Sequence, residues 1–301
     1  MPEIAYTVNC SILLTDIPLL DRPRAARDAG FDAVEFWWPF PKSTPTDREI
    51  DAFIRAIKDA GVHLTGLNFA AGDMPGGERG ILSTPTRTTE FRDNVDIAVG
   101  IAKALGTKAF NALYGNRIQG LSALDQDATA ISNLGFAAEA AASIDAVVLV
   151  EPVSGAPAYP LKTAAEAVAV IERVHAECGV SNVRLLADLY HLHVNGDDVS
   201  AAIDDYASRI GHVQIADSPA VVSQELATLN SATFWTSSPG TGTAATSVLS
   251  TSQRVPTLST GWIPRCAPLP ERRLAKNPIG KRQREGLIHE QHRFYRPGNH
   301  G

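Results

Sequence analysis

Three oxygen-bearing side chains stand at or near the ends of apolar runs: Glu151 in AVVLVEP, Asp188 in VRLLADLYHLH and Gln214 in HVQIAD. Carboxylate and amide oxygens are the donors that Mg²⁺ and Mn²⁺ prefer, so three of them brought together would make most of a hard-metal site. Each also has a plainer reading. Asp188 could cap the element that follows it. His191 and His193 could be ordinary loop residues, and Gln214 alone carries little specificity. The chemical reading gains weight because the three fall in order on successive strand-like runs.

Those runs belong to an alternating pattern. Strands are expected at 4–9, 33–38, 62–68, 108–113, 146–151, 183–188 and 212–216, with helix-period segments at 47–60, 88–105, 122–143, 164–178 and 199–207. Thr46 and Asp47 can open the helix at 47–60, and Gly61 and Gly106 stand where helices must stop. Repeats of about 30 residues with strands too apolar for half-exposure indicate a parallel sheet covered by helices. An open doubly wound sheet and a closed barrel both satisfy this pattern. Asn9, Glu35, Asn68, Asn111, Glu151, Asp188 and Gln214 all fall within or at the ends of different strands, where a TIM barrel gathers its active site. No strand leads into a GxGxxG turn. The expected class is therefore α/β, a TIM (β/α)8-type barrel, with Gln214, His212 and Ala216 sharing one strand face.

The 301 residues and 44% hydrophobic content suffice for one barrel-sized domain. Three dispersed cysteines suggest neither a disulfide framework nor a zinc knuckle. The N-terminus lacks the basic and apolar regions of a secretion signal, and no apolar run approaches the roughly 18 residues of a membrane span, so a cytoplasmic protein without a membrane partner is expected. Net charge is −6 but unevenly placed: residues 220–301 hold 10 Lys and Arg against 4 Asp and Glu, whereas residues 1–219 are strongly acidic. An acidic front segment argues against a nucleic-acid partner.

Six stretches, FDAVEFWWPF, NFAAGDMPGGERGI, FRDNVDIAVGIAKALG, LVEPVSG, LLADLYHLHVNGDD and IGHVQIADSP, resemble the hydroxypyruvate isomerase family of xylose-isomerase-like TIM barrels. The resemblance implies metal-assisted conversion of hydroxypyruvate to 2-hydroxy-3-oxopropanoate through an enediolate. It implies Glu151 as metal ligand and acid/base group, Asp188 and Gln214 as further ligands, and His191 as a substrate-orienting group. Arg79 in the GGERG loop is a candidate for the substrate carboxylate, since guanidinium pairs with carboxylate bidentately, or else a surface ion-pair partner. A related 2-oxo acid or sugar, or an inactive barrel, are the alternative readings; oligomeric state is open.

The resemblance stops at Pro219. The family's loop resembling GRGEPGTG and its strand resembling GYxGWVGLEYKP, which carries a second catalytic glutamate, do not occur. Instead, residues 220–262 contain seventeen Ser and Thr, followed by a basic, Pro-rich stretch. The genetic code offers an explanation. Ala220–Ala227 encoded GCC GTG GTG AGC CAG GAA CTG GCG, with one G added in front, reads Gly-Arg-Gly-Glu-Pro-Gly-Thr-Gly. In the same displaced frame, Gly242–Ser252 can yield Tyr-Gly-Gly-Tyr-Val-Gly-Leu-Glu-Tyr-Lys, its glutamate codon straddling Leu249 and Ser250. Residues 1–219 are thus expected to form seven barrel strands, with 220–301 a poorly ordered, out-of-frame tail. The eighth strand and its helix would be missing or replaced by that aberrant tail. Strands one and seven would then have unpaired edges, unless the β-forming residues of Thr243–Thr251 fill part of the gap.

Overall fold

The computed structural model describes residues 6–216 and 247–250. Its strands are β1 (Tyr6–Asn9), β2 (Ala33–Phe36), β3 (His63–Asn68), β4 (Ala109–Asn111), β5 (Val147–Val150), β6 (Val183–Asp188), β7 (Ile210–Ala216) and β8 (Ser247–Ser250). Each pairs in parallel with the next, and β8 pairs with β1, closing a barrel. The helices are α1 (Arg22–Asp28), α2 (Asp47–Ala60), α3 (Thr88–Leu105), α4 (Ala123–Ala142), α5 (Ala164–Cys178), α6 (Leu189–Val194) and α7 (Val199–Tyr206).

Local chemistry explains where the main helices begin and end. Thr46 and Glu49 form a reciprocal capping box at the start of α2, and Thr163 and Glu166 do the same for α5. Gly61, at φ 67°, and Gly106, at φ 77°, take the left-handed conformation that stops α2 and α3. Phe53, Ile57 and Ala60 lie on one face of α2 and are buried. Phe53 meets Phe36 edge-on at 5.3 Å, fastening α2 to the sheet. Across the barrel wall Phe69 stacks on Phe110 at 5.0 Å.

Several strands end sooner than their apolar runs. Trp37, beyond β2, is 38% exposed, and its N–H turns away to the Ser11 hydroxyl. The Ala112–Tyr114 segment remains buried, but as loop beyond β4.

The eighth place is taken by residues from beyond Pro219. Val213, Gln214, Ile215 and Ala216 pair with Ser247, Val248, Leu249 and Ser250, while Tyr6, Thr7 and Val8 pair with Ser247, Val248 and Leu249. The replacement is thus a four-residue strand inside the Thr243–Thr251 segment. The β-forming residues of Thr243–Thr251 fill the gap, and β1 and β7 are both paired along the new strand, because even a short strand can satisfy main-chain groups. The GRGEPGTG-equivalent segment and the rest of 220–301 lie outside the described residues.

Candidate active site

The closed sheet puts the strand-end polar residues at one level. Asn9 pairs with Glu35, Asn68 with Asn111, and Asp188 with Gln214. Glu151 follows β5 directly and is 5% exposed; Asp188 ends β6 and is 6% exposed. One ligand atom from each of Glu151, Asp188 and His191 lies within 4.8 Å of the others. His191 Nε2 stands 3.9 Å from Glu151 Oε1 and 4.0 Å from Asp188 Oδ2.

Each group is held from outside the cluster. Asn111 donates to Glu151 Oε2 at 2.6 Å. Beneath the same residue, the Tyr159 hydroxyl donates to the Glu151 carbonyl and accepts the Tyr114 N–H, both at 2.9 Å. Asp188 Oδ1 accepts the His191 N–H at 3.0 Å and so caps α6, while Oδ2 remains toward the cluster. Asp188 thus caps α6 with one oxygen and leaves the other beside His191.

His191 has a definable tautomer. The Ser154 N–H donates to its Nδ1 at 3.3 Å, and the Ser154 hydroxyl lies 2.8 Å from the same atom. A main-chain N–H can only donate, so Nδ1 is the bare nitrogen and Nε2 carries the proton that faces the carboxylates.

Burial, then the neighbouring Asp188 charge, push the Glu151 carboxyl well above the usual carboxylate range; Glu35 adds to this and the Asn111 hydrogen bond opposes it. Asp188 is raised chiefly by burial, with His191 opposing. Two adjacent buried carboxyls therefore resist carrying two negative charges without a compensating cation.

The family model described as xylose isomerase-like TIM barrel matches residues 23–250. A Streptomyces coelicolor protein named "Putative hydroxypyruvate isomerase" is 53% identical over 218 residues, covering 71% of this chain and 78% of that protein. This chain belongs to the hydroxypyruvate isomerase family. The hydroxypyruvate isomerase of Escherichia coli is 33% identical over 218 residues, covering 72% of this chain and 81% of that one. Among solved structures, the crystal structure of an AP endonuclease, family 2, from Brucella melitensis superposes with a TM-score of 0.69 at 29% identity, over 82% of this chain and 93% of that chain.

Within this isomerase-family barrel, the structure gathers Glu151, Asp188 and His191. Gln214 sits beside them on β7, its Nε2 donating to Glu35 Oε1 at 2.7 Å. His212, on the same strand face, also reaches Glu35, as the strand period requires. Arg79 is placed otherwise. Its Nη1 donates to the carbonyls of Met74 and Glu78, and its own carbonyl accepts the Gly115 N–H. These contacts brace the 72–80 loop, which Arg87 ties to α3 through Glu78 and Glu90. None of them reaches the carboxylate cluster.

Glu35 and Asn111 stand in the sequence as strand-end polar residues, but no local signal gives them a role, and none marks the contacts of His212, Ser154 and Tyr159 with the site. The pairing of His212 with Glu35 spans 177 residues, and only strand register reveals it. Among the described residues no helix is long and apolar enough to cross a membrane.

Proposed function

We propose that the barrel mouth holds a divalent cation and isomerises a small hydroxy-oxo acid, hydroxypyruvate to 2-hydroxy-3-oxopropanoate. The observation that carries this reading is the pair of buried carboxyls, Glu151 and Asp188, whose anionic forms lack a countercharge of sufficient strength. The donor set fits a hard ion: Glu151, Asp188 and Gln214 would hold Mg²⁺ or Mn²⁺ through oxygen. When bound, the ion supplies a Lewis acid that draws charge from the substrate's oxygens.

The remaining work falls to the chain. Isomerisation removes a proton from C3 of hydroxypyruvate, moves the hydroxyl proton between O3 and O2, and delivers a proton to C2. Glu151 is the group to take and return the carbon-bound proton, because its carboxylate stands in the cluster with one oxygen fixed by Asn111 and the other toward His191. The protonated Nε2 of His191 donates to a substrate oxygen and thereby orients it. Arg79 enters this reading as a loop brace, with its carboxylate-binding role left to test. Tyr159 and Asn111 fix Glu151 from its main-chain and side-chain ends.

The second glutamate implied by the family resemblance has no counterpart in β8, whose residues are Ser, Val, Leu and Ser. We therefore propose that turnover is impaired in this chain and that one lost nucleotide near the Pro219 and Ala220 codons put 220–301 out of frame. The displaced reading supports this: counted from the added base, its glutamate falls at position 250, and residue 250 lies opposite Ala216 at the end of β8.

The test is proton exchange. The full chain, supplied with Mn²⁺ or Mg²⁺ and hydroxypyruvate in D₂O, is followed by NMR for loss of the C3 proton signal and for product. Metal-dependent exchange that Glu151→Gln abolishes is the expected result. Exchange that is unchanged by chelator, or by that substitution, would overturn the proposal.

A further inference from the structure

Glu35 is a buried carboxyl of the barrel interior to which the reaction assigns no task. It is 4% exposed, and three side chains converge on it. Asn9 Nδ2 and Gln214 Nε2 both reach Oε1 at 2.7 Å, and His212 Nε2 lies 3.1 Å from Oε2. Asn9 is itself oriented, because its Oδ1 accepts the Ser11 N–H at 3.0 Å, which leaves only its amino group for Glu35. Glu35 Oε1 is therefore an acceptor, and the Gln214 atom that meets it must be the amide nitrogen.

This has a consequence for a side chain with two unlike ends. An amide offers a metal its oxygen and never its NH₂, so a free glutamine presents the wrong end in part of its conformers. Committing Nε2 to Glu35 removes that choice. The Gln214 side-chain oxygen is then left without a hydrogen-bond donor among the described residues. Asp188, its partner in the strand register, is the nearest member of the cluster along the sheet.

We infer that Glu35, itself anchored by Asn9 and His212, is a positioning residue that locks the Gln214 amide with its oxygen toward the Glu151 and Asp188 cation site. The inference rests on the proposed cation site and specifies how one of its ligands is prepared. Outer partners of this kind commonly change metal affinity by 10–100-fold when removed.

The test measures Mn²⁺ binding to the full-length, metal-stripped protein by calorimetry, with thermal unfolding of the same samples as a check on folding. Glu35→Met removes the acceptor at similar volume and weakens Mn²⁺ binding about tenfold or more. Glu35→Gln keeps an acceptor oxygen for Asn9 and Gln214, while His212 can exchange tautomers, so it retains affinity within about threefold. The decisive variant is Glu35→Met combined with Gln214→Glu. A carboxylate has oxygen at both ends and needs no lock, so the pair regains most of the affinity that Glu35→Met loses. Wild-type affinity in folded Glu35→Met overturns the lock, and so does a folded double variant as weak as the single one. Wild-type protein that binds no Mn²⁺ overturns the cation site itself, a result separate from either.

Discussion

Replacing Tyr159 with Phe tests whether Glu151 is held from its main-chain side. Tyr159 is 1% exposed, and its hydroxyl joins the loop after β4 to the end of β5 by taking the Tyr114 N–H and giving to the Glu151 carbonyl. The substitution keeps the ring and deletes only that bridge. Each buried main-chain group left without a partner costs about 1–3 kcal/mol, and removing the hydroxyl's own desolvation returns part of it, so the net loss is about 2–4 kcal/mol. For a barrel of this size each kcal/mol moves the thermal midpoint by roughly 2–4 °C, which predicts a drop on the order of 10 °C. Urea unfolding of both proteins measures the difference, and C3 proton exchange on the same samples reports whether Glu151 keeps its aim. Stability within about 0.5 kcal/mol of wild type, the range of an inconsequential surface change, would refute the bridge.

Glu151 should make the metal-free protein sensitive to pH. Its folded value lies above the unfolded one, so stability is greatest at low pH and falls as pH rises through roughly 5 to 8; Mn²⁺ should reverse the fall and Glu151→Gln should flatten it. Unfolding midpoints that rise across that range in the metal-free protein would contradict the assignment. Gly80, at φ 110°, has no room for a side chain: a Cβ there would run into the Leu113 carbonyl oxygen. Gly80→Ala should therefore cost about 2–4 kcal/mol and loosen the loop that Arg79 braces, measured by unfolding and by proteolysis between β3 and α3. Resequencing the gene should find one more nucleotide near the Pro219 and Ala220 codons, and the frame-restored protein should turn over faster. An intact frame through Gly301 in independent isolates would remove the out-of-frame proposal.

Much of the barrel was legible because its signals are local. Thr46, Gly61 and Gly106 mark helix ends by hydrogen bonding and backbone preference, and both bounds of α2 and the end of α3 follow from them. The seven-residue α1 has no clear sequence signal, since a proline and three arginines mask its short apolar face. The six-residue α6 was hidden too, because DLYHLHV continues the apolar β6 run without a break, and only the Asp188 cap turns it into a helix. In the site, Glu151 and Asp188 could be found as charges ending buried strands. The roles of Glu35, His212, Ser154 and Tyr159 could not, because each depends on which distant strand or loop lies alongside. For β8, Leu249 and the β-branched Val248 carry enough strand character to close the ring.

The most direct test is anomalous diffraction from crystals of the full chain soaked in Mn²⁺. One strong peak is expected at the barrel mouth, within bonding distance of oxygens from Glu151, Asp188 and Gln214. A peak bound elsewhere, or none at that position in well-occupied crystals, would contradict the proposed cation site.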